Sequence, residues 1–200
     1  MGIRPATIGH IGLVAQDVDR LVDFYCRILG MEVSDWLPFP ESSPYDKGAW
    51  LRCNTEHHVV SIFGLKGEAP TEAAKGQPGT WSNEKDNLTA KPGLHHIAFE
   101  LSDFEDLRRA AKICRKEGLT IQGMRKGGPG SQLRMYFWDP ENNLIELFWA
   151  MDQIGWDGVT RTPEPIEEID IETFDIKAWI REKGSMYRFA ATNYPLDEAE

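Results

Sequence analysis

The sequence predicts an α+β fold built from two β-α-β-β-β modules with a C-terminal helical tail, and three observations carry that prediction. The chain repeats itself: HIGLVAQDVDRL, starting at His10, falls on HIAFELSDFEDL, starting at His96, with His-Ile, an Asp at the eighth place, an acid at the tenth and Leu at the twelfth in common. Self-similarity at one offset signals duplicated structural units. Each copy then passes from a short apolar run to apolar residues spaced three and four apart, which is the change from strand to helix periodicity. Three more short apolar runs follow each helix, separated by turn-forming residues.

Taken in order, module one (residues 7–63) opens with a strand over Ile8–Val14. Val18, Leu21, Val22, Tyr25 and Leu29 then form one helical stripe. Asp17 is its N-cap, because a short carboxylate accepts from the unpaired N–H groups of a first turn, and Gly30 is its stop, because a left-handed C-cap favours glycine. Strands are expected at Glu32–Leu37, Gly48–Cys53 and His57–Phe63. Module two (residues 94–150) repeats this with a strand over Leu94–Leu101 and a helix capped by Asp103, running through Leu107, Ala110, Ala111 and Cys114 to Gly118. Its further strands are expected at Thr120–Met124, Leu133–Trp138 and Leu144–Trp149. Between the modules, residues 64–93 are rich in Gly, Pro, Ala and polar residues without apolar period. So long a structureless segment in a compact domain is usually functional or disordered, and Trp81 in its middle suggests a flap. Residues 151–200 form a Pro- and acid-rich C-terminal extension with one amphipathic stretch from Ile171 to Lys183. Its stripe of Ile176, Trp179 and Ile180 is expected to dock a helix on its own domain or on a second copy in a homo-oligomer.

The net charge of −10 and pI near 5.0 argue against a nucleic-acid partner, which needs a concentrated Lys/Arg surface. No apolar run reaches membrane-spanning length, and MGIRPATIGH has no signal-peptide character, so a cytoplasmic protein acting on a small molecule is expected, with no membrane partner. Cys26, Cys53 and Cys114 lie in apolar periodic segments at wide spacing, which predicts reduced structural thiols rather than disulfides or a zinc site.

Side chains alternate faces along a strand. By that parity His10 shares a face with Gly12, and His96 with Ala98, whereas His95 joins Ile97 and Phe99. On the last strand Glu146 stands with Leu144 and Phe148. A carboxylate in so apolar a strand needs a partner or a metal. Two histidines from equivalent strand starts and one glutamate, His10, His96 and Glu146, make the His₂-carboxylate set of a non-haem Fe(II) centre; Mn(II) is the alternative. His57 and His95 are expected to be satisfied packing residues or hydrogen-bond partners of their neighbours. Trp36, Trp50, Phe148 and Trp149 are each expected first as ordinary core aromatics and second as walls for an aromatic ring.

The segments GHIGLVAQDVDRLVDFYCRILGMEV, CNTEHHVVSIF, LHHIAFELSDFEDL and YFWDPENNLIELF resemble the vicinal oxygen chelate superfamily, and within it the type I extradiol ring-cleavage dioxygenases. The resemblance covers about residues 7 to 150. It implies two curved sheets forming a metal-holding cavity, iron ligands at His10, His96 and Glu146, an active-site histidine at His58 and a substrate-side tyrosine at Tyr136. It also implies a catechol-like substrate and O₂ as partners; many such relatives carry a further two-module domain ahead of this one, and in departure from them a one-domain form is expected here. The motif Y-x-x-D-P-x-x-N-x-x-E is intact as Tyr136, Asp139, Pro140, Asn143 and Glu146. The sequence departs from the pattern in the loop before Tyr136, where Lys126 and Gly127 stand in place of the usual histidine. Lys126 or Arg134 is left to donate hydrogen bonds to bound oxygen. Other activities of the same superfamily are a metal-dependent thiol transferase of the fosfomycin-resistance kind, a glyoxalase-type lyase, or metal-free sequestration as in bleomycin-binding proteins. The lyase places a second carboxylate on the last strand of the first module, where an offset of 86 from Glu146 finds Val60.

Overall fold

The structure is a computed structural model that describes residues 7–68, 94–154, 158 and 162–183. Most of the inter-module insertion, including Trp81, lies outside the described residues. The chain forms two compact units, one within residues 1–77 joined by the short loop Asp139–Asn142, the other within residues 78–138 and 143–200.

In the first unit, β1 (Ile11–Ala15) leads to α1 (Val18–Leu29), then β2 (Glu32–Pro38), β3 (Tyr45–Arg52) and β4 (Val60–Leu65). The sheet order is β1-β4-β3-β2, with β1 and β4 parallel and the rest antiparallel. Asp17 caps α1 by accepting from the Arg20 N–H, and Gly30 closes it in the left-handed conformation, φ 66°. The helix buries Val18, Leu21, Val22, Phe24, Tyr25 and Ile28. Leu13, Ala15, Ala49, Leu51, Val60 and Ile62 are buried strand residues of the same unit.

In the second unit, β5 (Ile97–Glu100) leads to α2 (Phe104–Lys116), β6 (Gly123–Gly128), β7 (Leu133–Trp138) and β8 (Leu144–Trp149). The order is again first, fourth, third, second, with an extra strand, β9 (Glu164–Glu168), antiparallel on the outer edge of β6. Asp103 caps α2 through the Asp106 N–H. The two β-α-β-β-β modules and the α+β class are therefore present as expected. Both first strands start later than their apolar runs, so that His10 and His96 each sit one residue before the strand.

The extension does more than carry a helix. Besides β9 it forms α3 (Ile176–Lys183), on which Trp179 and Lys183 are buried. Trp179 packs on Trp149 at 6.0 Å and Phe174 on Phe104 at 5.8 Å, while Arg108 donates to the carbonyls of Ile171 and Phe174 at 2.9 Å each. The helix thus docks on its own unit. Among the described residues, no helix is long and apolar enough to cross a membrane.

The Asp139–Asn142 loop shows why the Asp-Pro of the long motif matters locally. The Tyr25 hydroxyl donates to Asp139 Oδ2 at 3.2 Å in a buried setting, and the Asp17 N–H donates to Glu141 at 2.9 Å. Burial first, then the Asp139 charge and hydrogen bond, push the Tyr25 pKa well above its ordinary value. A raised folded-state pKa adds stability that is whole below the unfolded value of about 10 and is lost as pH climbs through the folded value. At pH 8, Tyr25→Phe is expected to cost about 1–3 kcal/mol in urea unfolding because it removes a buried hydrogen bond to a carboxylate. Between pH 10 and 11 the wild type should lose stability faster than the variant, narrowing the gap. A gap that stays constant across that range would show that the Tyr25–Asp139 bond is not the coupled pair.

Candidate functional site

In the second unit, strand register assembles a row of chemically distinct side chains. Ala98 of β5 and Tyr136 of β7 both pair with Glu146 of β8, and Gly123 of β6 pairs with Tyr136. Cross-strand partners share a face, so Glu146 and Tyr136 project from the same side of the sheet. Ile145, Leu147 and Trp149 take the opposite side. His96 Nε2 lies 3.0 Å from Glu146 Oε2, and Gln132 Nε2 donates to Oε1 at 3.0 Å. Glu146 is only 2% exposed, although it is a carboxylate. The Tyr136 ring meets the His96 ring edge-on at 6.0 Å. Burial, then the Glu146 charge, push the Tyr136 pKa up to about 12.

His95 is not an inert packing residue. Its Nδ1 lies 2.7 Å from Nδ1 of His96, so one ring donates and the other accepts. For His96 Nε2 to offer a lone pair to a cation, its Nδ1 must carry the proton and donate it to His95. Orientation of a ligand histidine through its second nitrogen is the usual support of a metal site. Burial and then the neighbouring His96 lower the His95 pKa.

The donor chemistry fits a divalent cation. An imidazole nitrogen and a carboxylate oxygen, here 3.0 Å apart, are donor types that would hold such a cation. Among the described residues no group of three or more His, Cys, Asp or Glu forms a ready cluster. His96 and Glu146 are brought together, and His10 belongs to the other unit.

In the first unit, His10 is exposed and its ring lies 4.7 Å from that of His58. His58 Nδ1 is 3.0 Å from His57 Nδ1, and His57 Nε2 is 2.9 Å from Asp35 Oδ2. The Ser34 hydroxyl donates to the His57 carbonyl at 2.5 Å. This chain of contacts starts at a register shift between Val33 and Asp35, the kind of irregularity that re-aims side chains beside functional sites. Desolvation, then His10 and His57, lower the His58 pKa. On the same sheet Trp50 pairs with Ser61 and Gly48 with Phe63. Phe63 gathers Tyr45 at 5.5 Å, Phe39 at 5.9 Å and Trp50 at 6.0 Å into an aromatic group.

Two expectations need adjustment. Lys126 is not brought to the Glu146 row: on β6, Gly123 and Arg125 face with Tyr136 and Arg134, so alternation turns Lys126 away, and its ammonium pairs with Glu167 of β9 at 3.0 Å. Arg134 is the cation on the correct side, donating from Nε to the Tyr136 hydroxyl at 3.0 Å and from Nη1 to the Gly127 carbonyl at 2.6 Å. Trp149 is a core residue, 1% exposed and packed on Phe104 and Trp179. The first-module equivalent of Glu146 is Ser61 rather than Val60, since Gly12 pairs with Ser61 as Ala98 pairs with Glu146; a hydroxyl still stands where the lyase would place a carboxylate. Gln132, Asp35 and Ser34 were not singled out in the sequence. Only Asp35, an acid within an otherwise strand-like run, gave any signal there.

Two modules of one strand order, each opening on a histidine, define the class. The family model of the Glyoxalase/Bleomycin resistance protein/Dioxygenase superfamily matches residues 7–147, and the chain belongs to that superfamily. Among curated proteins it is 23% identical over 150 residues to the 2,2',3-trihydroxybiphenyl dioxygenase of Sphingomonas paucimobilis, covering 74% of this chain and 42% of the relative. It is 24% identical over 153 residues to the manganese-dependent 2,3-dihydroxybiphenyl 1,2-dioxygenase of Geobacillus genomosp. 3, covering 74% and 40%. The matched region thus spans less than half the length of these relatives. Among solved structures, a glyoxalase family protein from Enterococcus faecalis matches with TM-score 0.53 and 20% identity over 72% of this chain and 97% of that one. A glyoxalase/dioxygenase from Nostoc punctiforme matches with TM-score 0.51 and 22% identity over 74% and 95%. These structural likenesses concern the fold.

Proposed function

We propose that this protein cleaves a catechol-type ring beside its diol with O₂, using a divalent metal held by His10, His96 and Glu146. The observation that carries the reading is the contact of half-buried His96 with buried Glu146, with Tyr136 on the same face. The names of the two dioxygenase relatives support it, and one of those names specifies manganese. His10 enters as the third ligand through the sequence repeat and the resemblance. Fe(II) is the proposed metal and Mn(II) the alternative, since both suit a His₂-carboxylate set. When bound, the cation would supply Lewis acidity and an electron path between the diol and O₂. A cytoplasmic setting belongs to the same reading.

The chain's own residues then have separate tasks. Tyr136 receives a hydrogen bond from Arg134 Nε and stays protonated at neutral pH beside the Glu146 carboxylate, and its O–H is the proposed donor that turns from Glu146 to a substrate hydroxyl oxygen. His58 is the proposed acceptor of a diol proton. With Asp35 accepting Nε2–H of His57, Nδ1 of His57 faces Nδ1 of His58 at 3.0 Å and is the proposed acceptor of its N–H. That arrangement leaves His58 Nε2 unprotonated and able to act as a base. Gln132 fixes one Glu146 oxygen and leaves the other toward His96. Arg134, the cation bonded to Tyr136, is proposed to stand in for the missing loop histidine.

The test is anaerobic loading with Fe(II) or Mn(II), followed by oxygen uptake and an absorbance scan across a panel of catechols. Yellow ring-opened products formed with one O₂ consumed per ring are expected. Metal uptake without oxygen consumption on any catechol would remove the ring-cleavage reading. In the same series, His96→Ala should lose the metal, whereas His95→Ala should weaken metal binding by about 10–100-fold. An unaltered affinity in the His95 variant would assign that residue to packing alone.

A further inference from the structure

We propose that Arg134 and Arg125 form an anion subsite on the Glu146 face of the second sheet, so that the substrate is a catechol carrying a carboxylate or a similar acidic substituent; this rests on the ring-cleavage reading above. The two arginines are direct cross-strand partners on β6 and β7. Both are buried, at 7% and 6% exposure, and both share the face of Tyr136 and Glu146. Like charges opposite each other in a sheet repel, and burying two guanidinium groups is costly unless anions answer them.

The described residues answer Arg134 with neutral groups only. Its Nε donates to the Tyr136 hydroxyl, and its Nη1 to the carbonyls of Gly127 and Gln132. Among the described residues its Nη2 has no hydrogen-bond partner and no carboxylate lies within ion-pair distance of the guanidinium. The buried carboxylate of this face, Glu146, is engaged by His96 and Gln132. Arg125 has, among its contacts, the carboxylate of Glu168 at 3.8 Å, on a side chain 76% exposed to solvent. Glycines make room beside both groups. A Cβ on Gly123 would lie 3.2 Å from the Arg125 guanidinium, and one on Gly128 would lie 3.4 Å from Arg134 Nη2.

The geometry orders the recognition. Glu146 and His96 mark the position of the diol, Tyr136 comes next along the row, and Arg134 is tied to Tyr136 through one hydrogen bond, with Arg125 on the adjoining strand. An anionic group on the ring, on the side away from His96, would meet a planar fork of N–H donors suited to carboxylate oxygens.

The test is calorimetric binding of two matched diols to the full chain, supplied with Mn(II) without oxygen: a catechol bearing one ring carboxylate and the corresponding carboxamide. The carboxylate should bind at least about tenfold more tightly, the scale of a charge-assisted hydrogen bond. That preference should collapse in both Arg125→Gln and Arg134→Gln, and Arg134→Lys, which keeps the charge if the glutamine variant folds poorly, should retain part of it. Equal binding of the two diols, binding of neither, or a preference that survives in both glutamine variants would overturn the subsite. Retained preference for the carboxylate together with no oxygen consumption would sink the ring-cleavage reading and leave the anion subsite standing.

Discussion

Glu146→Gln is expected to empty the metal site while leaving the metal-free fold intact. The side chain sits on β8, flanked by β5 and β7 in the five-stranded sheet, 2% exposed, with His96 at one oxygen and Gln132 at the other. Glutamine keeps the volume and can still hydrogen-bond both neighbours, so packing changes little. What disappears is the negative charge. A neutral amide cannot balance a divalent cation in a buried site, so the loss in metal affinity should exceed the roughly 10–100-fold typical of disturbing a supporting hydrogen bond. The metal-free protein should show little loss of thermal stability, because the amide keeps the shape of the side chain and can keep a hydrogen bond to each neighbour. Metal content after anaerobic loading and the melting temperature of the metal-free form check the two halves. Full metal occupancy in this variant would falsify the assignment of Glu146 as a ligand.

Gly127→Ala is expected to cost about 2–4 kcal/mol and to release β9, from two effects that add. Gly127 has φ +82°, a conformation that penalises any residue with a Cβ, and a Cβ there would lie 2.1 Å from the Pro165 carbonyl oxygen. That oxygen belongs to backbone in an edge strand, so it cannot rotate away as a side-chain tip would, and relieving the overlap means moving the strand. Hydrogen exchange should show lost protection over Glu164–Glu168, with β7 and β8 still protected. Equal protection in the variant would mean that β9 is not held by this close approach. At this position, where the resemblance to the dioxygenases implies a histidine, the backbone of β9 approaches so closely that a glycine is required. Gly127→His should therefore destabilise the protein rather than supply the absent acid–base group.

Much of the fold was legible because its signals are local. Asp17, Gly30 and Asp103 act as caps through groups within three residues of themselves or through their own backbone angle. Leu133–Trp138 and Leu144–Trp149 are strands because period-two runs between turn residues admit little else. The His10/His96 repeat and the inward parity of His96 were legible for the same reason. The glycine-rich stretch after Met124 read as a loop, yet it is the strand β6, kept extended by partners on both edges. β9 was invisible, since a run of Glu-Pro-Ile-Glu-Glu has no apolar alternation and becomes a strand only by lying along β6.

The sequence by itself determined the two-module architecture and the histidine and glutamate that face each other in the second unit, because chain periodicity and side-chain alternation follow from backbone geometry alone. Tertiary structure decided what depends on partners distant in the chain. It turned Lys126 toward Glu167 and Arg134 toward Tyr136, since a strand's faces are assigned only once its neighbours and register are chosen. It shifted the equivalent of Glu146 from Val60 to Ser61, because the offset between copies is not conserved through the turns. It also bound His57 to Asp35 through a one-residue irregularity that no local pattern announces.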